Sequence, residues 1–182
     1  QSKKKYAVIT SQCRIGFLFI LKYLKFKTQK REIIFCAYNL PEMINVAVKL
    51  NYKIKFCDLN YETGTMDILK LKRKISNNTS AIVLTNMFND FENSRKIKRV
   101  ALKHKITLIE DNAIYFDNYN KKKIKHFSGS LGDFSIYSFN IMKNISSFYG
   151  GAISTNNLEF KNFYEKEYEK LKNFPKLPLI KQ

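Results

Sequence analysis

Apolar and polar positions along the chain fall into two rhythms. Short runs of branched and aromatic residues recur at 6–10, 32–37, 53–58, 81–86, 107–111, 134–138 and 151–154. Their length and composition predict strands. Between several of them apolar residues return at helical spacing, at 15–24, 41–50, 67–75 and 94–103, and again at 158–172, where Asn173-Phe174-Pro175 ends the run. Pro41 suits a first helical turn, where its missing amide costs nothing, and Ser94 is the expected cap of its helix. Strands that alternate with helices need crossovers rather than tight hairpins. The pattern therefore predicts an α/β fold, a three-layer α/β/α arrangement with a mostly parallel sheet covered on both faces. Ligands of such sheets collect beyond the carboxyl ends of the strands, here 11–14, 38–40, 86–88, 111–112 and 138–143.

Composition narrows this picture. A length of 182 residues with 45% hydrophobic content supports one sizeable core, so residues 1–182 are expected to form a single domain. The formal charge of +18 favours anionic partners in general. The lysines are spread through the whole chain, however, and the dense runs Lys3-Lys4-Lys5 and Lys121-Lys122-Lys123 read as a terminus and a turn, so no specific nucleic-acid partner is expected. Cys13, Cys36 and Cys57 form no CxxC pair and leave an odd thiol in any disulfide scheme, which suits a reducing, cytoplasmic setting. Arg14 interrupts the one signal-like start, and no run approaches the roughly 20 apolar residues of a membrane span. His104 and His126 read as solvated, with no metal-ligand spacing, and the sequons at Asn77 and Asn144 read as chance. The chain opens on Gln1 rather than Met, which suggests a fragment.

One constellation carries chemistry. "LIEDNA" ends a hydrophobic strand with Asp111, and "YSFNIMKNISSFYGGAIST" sets Lys143 between a Ser/Asn cluster and Gly150-Gly151. A pyridoxal 5′-phosphate (PLP) site needs a lysine amine to hold the cofactor, a carboxylate to keep the pyridine nitrogen protonated, and donors for the phosphate. Asp111, Lys143, Ser138 and the amides of the helix start after Gln12-Cys13-Arg14 supply these groups. Alone, Lys143 reads as one more solvated charge. Beside Asp111, Ser138 and the paired glycines it reads as functional.

In "AIVLTNMFND", "ITLIEDNAIYF", "SGSLGDFSIYSFNIMKN" and "FYGGAISTN" the sequence resembles the DegT/DnrJ/StrS family of PLP-dependent aminotransferases, which act mainly on nucleotide-linked keto sugars. The resemblance implies the large domain of a fold-type I PLP-dependent transferase, without the N-terminal segment and the small C-terminal domain of full-length members. It makes Lys143 the Schiff-base lysine and general acid/base, and Asp111 the pyridinium partner. Ser138, Cys13 and Arg14 become phosphate contacts, with Asn140 in the turn that presents the lysine. An amino-acid donor, a nucleotide-linked keto sugar and a homodimer with sites at the subunit interface are implied as partners, and no membrane. The chain departs from the family at Leu40, where a ring-covering aromatic is usual and Tyr38 or Asn39 would substitute. It departs also at Ile114, where a Gln or His touches the cofactor's ring hydroxyl, at Tyr149, usually acidic, and at Cys13, usually glycine. The alternative expectation is a truncated, catalytically inactive relative serving as a binding or assembly module.

Overall fold

The computed structural model describes residues 3–87, 91–114, 128–143 and 145–171. Lys121-Lys122-Lys123, His126, the sequon residue Asn144, Phe88 and the stretch from Lys172 through Pro175 lie outside the described residues. The elements run β1 (Tyr6–Thr10), α1 (Cys13–Lys27), β2 (Glu32–Cys36), α2 (Pro41–Lys49), β3 (Lys53–Cys57), α3 (Ile68–Lys74), β4 (Thr79–Thr85), α4 (Phe91–Lys103), β5 (Thr107–Asp111), β6 (Phe134–Ser138), β7 (Gly151–Thr155) and α5 (Leu158–Glu169).

The seven strands form one sheet in the order β1-β7-β6-β5-β4-β2-β3. β7 runs antiparallel to both β1 and β6, and every other neighbouring pair is parallel. The expected mostly parallel α/β sheet is therefore present. Its exception has a plain cause: among the described residues no helix lies between β6 and β7, and Ser138 pairs directly with Gly151.

Alternation along the strands builds two cores. Ile33, Phe35, Ala81, Val83 and Ile109 point to the face packed by α1, α2 and α5, where Phe17, Met43, Ala47 and Phe160 are buried. Ile34, Cys36, Ile82, Leu84 and Leu108 point to the other face, against Leu71 of α3 and Ile97 of α4. Strands buried on both sides read as continuous apolar runs, as these do. Each fully buried Phe, Ile or Leu in these layers contributes about 1.5–3 kcal/mol.

The helix ends follow local chemistry. Pro41 is at the start of α2. Asp67 caps α3 by accepting from the Lys70 amide at 2.9 Å, and Asn157 caps α5 by accepting from Phe160 at 2.9 Å. Ser94 is not the cap expected of it: α4 already begins at Phe91, and Ser94 is buried inside it against the sheet. α1 reaches further at both ends than its apolar spacing suggests, from Cys13 to Lys27, and just before it Gln12 bridges to Gly150. Among the described residues no helix is long and apolar enough to cross a membrane, and no His/Cys/Asp/Glu group has the makings of a metal site.

Candidate active site

A cavity of about 320 Å³ opens at the carboxyl edge of the sheet, bordered by the ends of β4, β5 and β6, the start of α1 and the 38–40 loop. Every residue singled out in the sequence as a candidate lines it: Lys143, Asp111, Ser138, Asn140, Cys13 and Arg14. Residues 130 positions apart thus meet at one opening.

Asp111 is the last residue of β5 and is 4% exposed. Its Oδ1 accepts a single described hydrogen bond, from the Ala113 amide at 3.0 Å. Burial pushes its carboxyl up to about 6, against the lowering pull of the Ala113 amide and the Lys143 charge. The Asp111 peptide is held from both sides of the strand end, since Asn86 N donates to Asp111 O and Asn112 N donates to Ile136 O, each at 2.9 Å. On the opposite face Asn86 Nδ2 donates to Asn112 Oδ1 at 2.6 Å. A buried carboxyl with one donor and a cavity in front of it is suited to a cationic partner.

Lys143 lies in the 139–150 loop, partly exposed. The loop is pinned at its base, where Phe139 N donates to Gly150 O at 3.0 Å and Ser147 N donates to Phe139 O at 2.9 Å. Within it Lys143 N donates to Asn140 O at 3.0 Å, so Asn140 closes the turn that carries the lysine. The exposed Asn140 also binds the Ile141 amide through Oδ1 at 2.8 Å. The backbone that carries the lysine is therefore anchored at this turn.

The start of α1 forms the cavity's third wall. Gln12 gives it no side-chain cap, and its first turn carries no acidic residue. Backbone amides at such a start favour an anion, and the helix dipole adds to them. Arg14 Nε donates to Gln12 Oε1 at 2.8 Å, which holds the guanidinium beside those amides. Ser138, 8% exposed, borders the same space from the end of β6. Two glycines make the approach possible: Gly150 has φ +117°, and a Cβ on Gly151 would lie 2.6 Å from Cys13 N and 2.8 Å from Tyr137 O. Cys13 is buried, and its thiol is pushed well up by burial and then by the Asp111 charge, against Lys143 and Arg14. It stands there as a neutral small side chain.

Leu40 and Tyr38 border the cavity with 58% and 60% exposure, and Ile114 and Tyr149 stand at its mouth. Sequence reasoning missed Thr85. It ends β4 on the same face as Asp111, its register partner, and its Oγ1 accepts from Asn39 Nδ2 at 2.8 Å. The strand-end parity shared with Asp111 was the available signal.

The sequence matches the DegT/DnrJ/EryC1/StrS aminotransferase family over residues 2–173. The chain belongs to that family. It is 29% identical to the UDP-4-amino-4,6-dideoxy-N-acetyl-beta-L-altrosamine transaminase of Campylobacter jejuni, over 76% of this chain and 37% of that protein. It superposes on an Escherichia coli GDP-4-keto-6-deoxy-D-mannose-3-dehydratase with bound hydrated PLP at a TM-score of 0.73 and 26% identity, covering 89% of this chain and 42% of that one. A Helicobacter pylori aminotransferase of pseudoaminic acid biosynthesis shares the fold at a TM-score of 0.79 and 21% identity, covering 94% of this chain and 46% of that one. This member of the DegT/DnrJ/EryC1/StrS family thus spans less than half the length of the relatives it matches. The family is PLP-dependent, and the expectation of a fold-type I α/β architecture holds.

Proposed function

We propose that the chain is the PLP-binding large domain of a nucleotide-sugar aminotransferase. The observation that carries the reading is the single cavity in which the Lys143 amine, the Asp111 carboxyl and the uncapped start of α1 meet. These residues fit the cofactor's three anchor points. Lys143 would hold the aldehyde carbon, Asp111 the ring nitrogen, and the Cys13 and Arg14 amides with Ser138 and the Arg14 guanidinium the phosphate. Asn140 would set the turn from which Lys143 reaches in.

PLP supplies an electron sink for the pair left behind when a carbon-bound proton departs. The remaining work falls to protein groups. The Asp111 carboxylate would pair with a protonated ring nitrogen and, facing that cation, stay ionised in spite of burial. The Lys143 amine would serve as the base and acid of the site, placed to take up and return a proton of an amino-acid donor. The acceptor in this reading is a nucleotide-linked keto sugar, and the setting is cytoplasmic. The loop carrying Lys143 also leaves Met142 and Phe148 at 91% and 71% exposure beside the cavity, an apolar surface suited to cover by a second subunit. The reading therefore extends to a homodimer, which sedimentation measures directly.

Titration of the purified chain with PLP, followed by borohydride reduction and peptide mapping, tests the proposal. A pyridoxyl group on Lys143, absent from Lys143→Ala, is the expected result. Labelling confined to other lysines, or no change in absorbance at all, overturns it and points to a relative that keeps the fold without the chemistry. A GDP-sugar dehydratase also lies among the related structures, at 26% identity. Transamination by the intact protein is read from transfer of labelled donor nitrogen into the sugar, whereas dehydration gives a sugar that has lost a hydroxyl and carries no label.

A further inference from the structure

The cavity has a polar group to which no role is yet attached. Thr85 closes β4 on the cavity side, and Asn39 donates to its Oγ1 from the loop after β2. A threonine hydroxyl offers one proton and accepts through its lone pairs. Here the accepting side is occupied by Asn39 Nδ2 at 2.8 Å, and among the described residues Thr85 Oγ1 has no acceptor of its own, so its proton remains available to a ligand.

The sheet order decides which part of a ligand that proton meets. In PLP the ring nitrogen lies opposite the carbon that bears the aldehyde, and the ring hydroxyl and the phosphate arm flank that carbon on opposite sides. With the nitrogen at Asp111 and the aldehyde at Lys143, the ring's long axis is set. The start of α1 is tied to β7 through the Gln12 bridge to Gly150, so the phosphate arm points toward β6 and β7. The hydroxyl must then point the other way from β5. The neighbour on that side is β4, and its last residue, paired in register with Asp111, is Thr85.

We propose that Thr85, oriented by Asn39, is the partner of the cofactor's ring hydroxyl in this chain, taking the place of the Gln or His that Ile114 lacks. The proposal rests on the PLP reading above. Ile114 has no hydrogen-bonding group and is 49% exposed at the cavity mouth. Asn39 is a positioning residue in this scheme, since it acts through Thr85, and Thr85 would touch the cofactor itself.

The test uses PLP binding and the spectrum of bound PLP rather than turnover, because the protonation state of the ring hydroxyl sets that spectrum. Thr85→Val, which keeps the shape and removes the hydroxyl, is expected to weaken PLP binding about five- to tenfold, the value of one neutral hydrogen bond. It is also expected to move the pH midpoint of the bound-cofactor absorbance. Thr85→Ser should retain both properties, and Asn39→Ala should move the midpoint in the same direction by less. Adding Ile114→Gln to Thr85→Val should recover affinity by restoring a donor from the β5 side. Wild-type affinity together with an unmoved midpoint in Thr85→Val overturns the proposal, as does equal loss in Thr85→Ser. Failure of the wild-type chain to show any Lys143-dependent absorbance is a different result, which removes the PLP reading itself.

Discussion

Glu110 and Asp111 are consecutive, both buried, and opposite in every other respect. Glu110 faces the α3/α4 side, where its Oε2 accepts from Leu131 N at 2.9 Å, Gly132 N at 2.6 Å and Ser135 Oγ at 3.1 Å. Asp111 faces the α1 side with the Ala113 amide and an open cavity in front of it. One acid is surrounded by donors supplied by the fold, and it ties the loop before β6 to β5. The other has one donor among the described residues, and burial holds it near 6. A strand thus places a structural and a receptive carboxyl side by side through alternation alone. Among the described residues, what separates them is the number of donors, three for Glu110 and one for Asp111.

Substitution should separate them further. Glu110→Ala orphans two backbone amides and is expected to cost about 3 kcal/mol or more of unfolding free energy, read by denaturant titration. Asp111→Asn should do the reverse. A carboxyl whose folded value is raised from 3.8 to about 6 opposes folding above that pH. The variant is therefore expected to gain up to about 3 kcal/mol near pH 8 in the absence of cofactor, a gain that shrinks as pH falls through 6 and vanishes near 4. The same variant should bind PLP about 10–100-fold more weakly, by loss of a charge-assisted hydrogen bond. Wild-type PLP affinity should likewise fall as pH drops below about 6, where Asp111 takes up a proton. The smallest effect is expected of Ser135→Ala, which removes one of three donors to Glu110. It should cost about 1 kcal/mol and leave PLP affinity unchanged. A loss of cofactor affinity in Ser135→Ala would show that the two faces of β5 are not independent.

Much of this was legible in the chain. The strand runs were found to within two residues because a buried parallel strand is an apolar block with polar ends, as in "LIED" of β5. Asp111, Ser138 and Lys143 were legible because strand ends and a Gly-Gly pair mark their places. Ser94 misled because serine signals a cap only when it precedes the apolar face, and here it lies on that face. The antiparallel turn of β7 was not legible, since a helix-free return of unknown path has no period of its own. The Thr85–Asn39 pair and the three donors to Glu110 were hidden for a common reason. Each joins residues far apart in sequence through side-chain geometry, which no local pattern records.

The bridge between Gln12 and Gly150 has a consequence for how the molecule comes into being. It joins the first helix to the last strand, and β1 pairs along its whole length with β7. Contacts of such sequence separation form late, because the loop they close is costly to restrain. A nascent chain emerging through β5 would display Asp111 before Ser138 and Lys143 exist to face it. Ligand capture should then coincide with the closing steps of folding, making cofactor uptake a reporter of when the early and late segments have found each other.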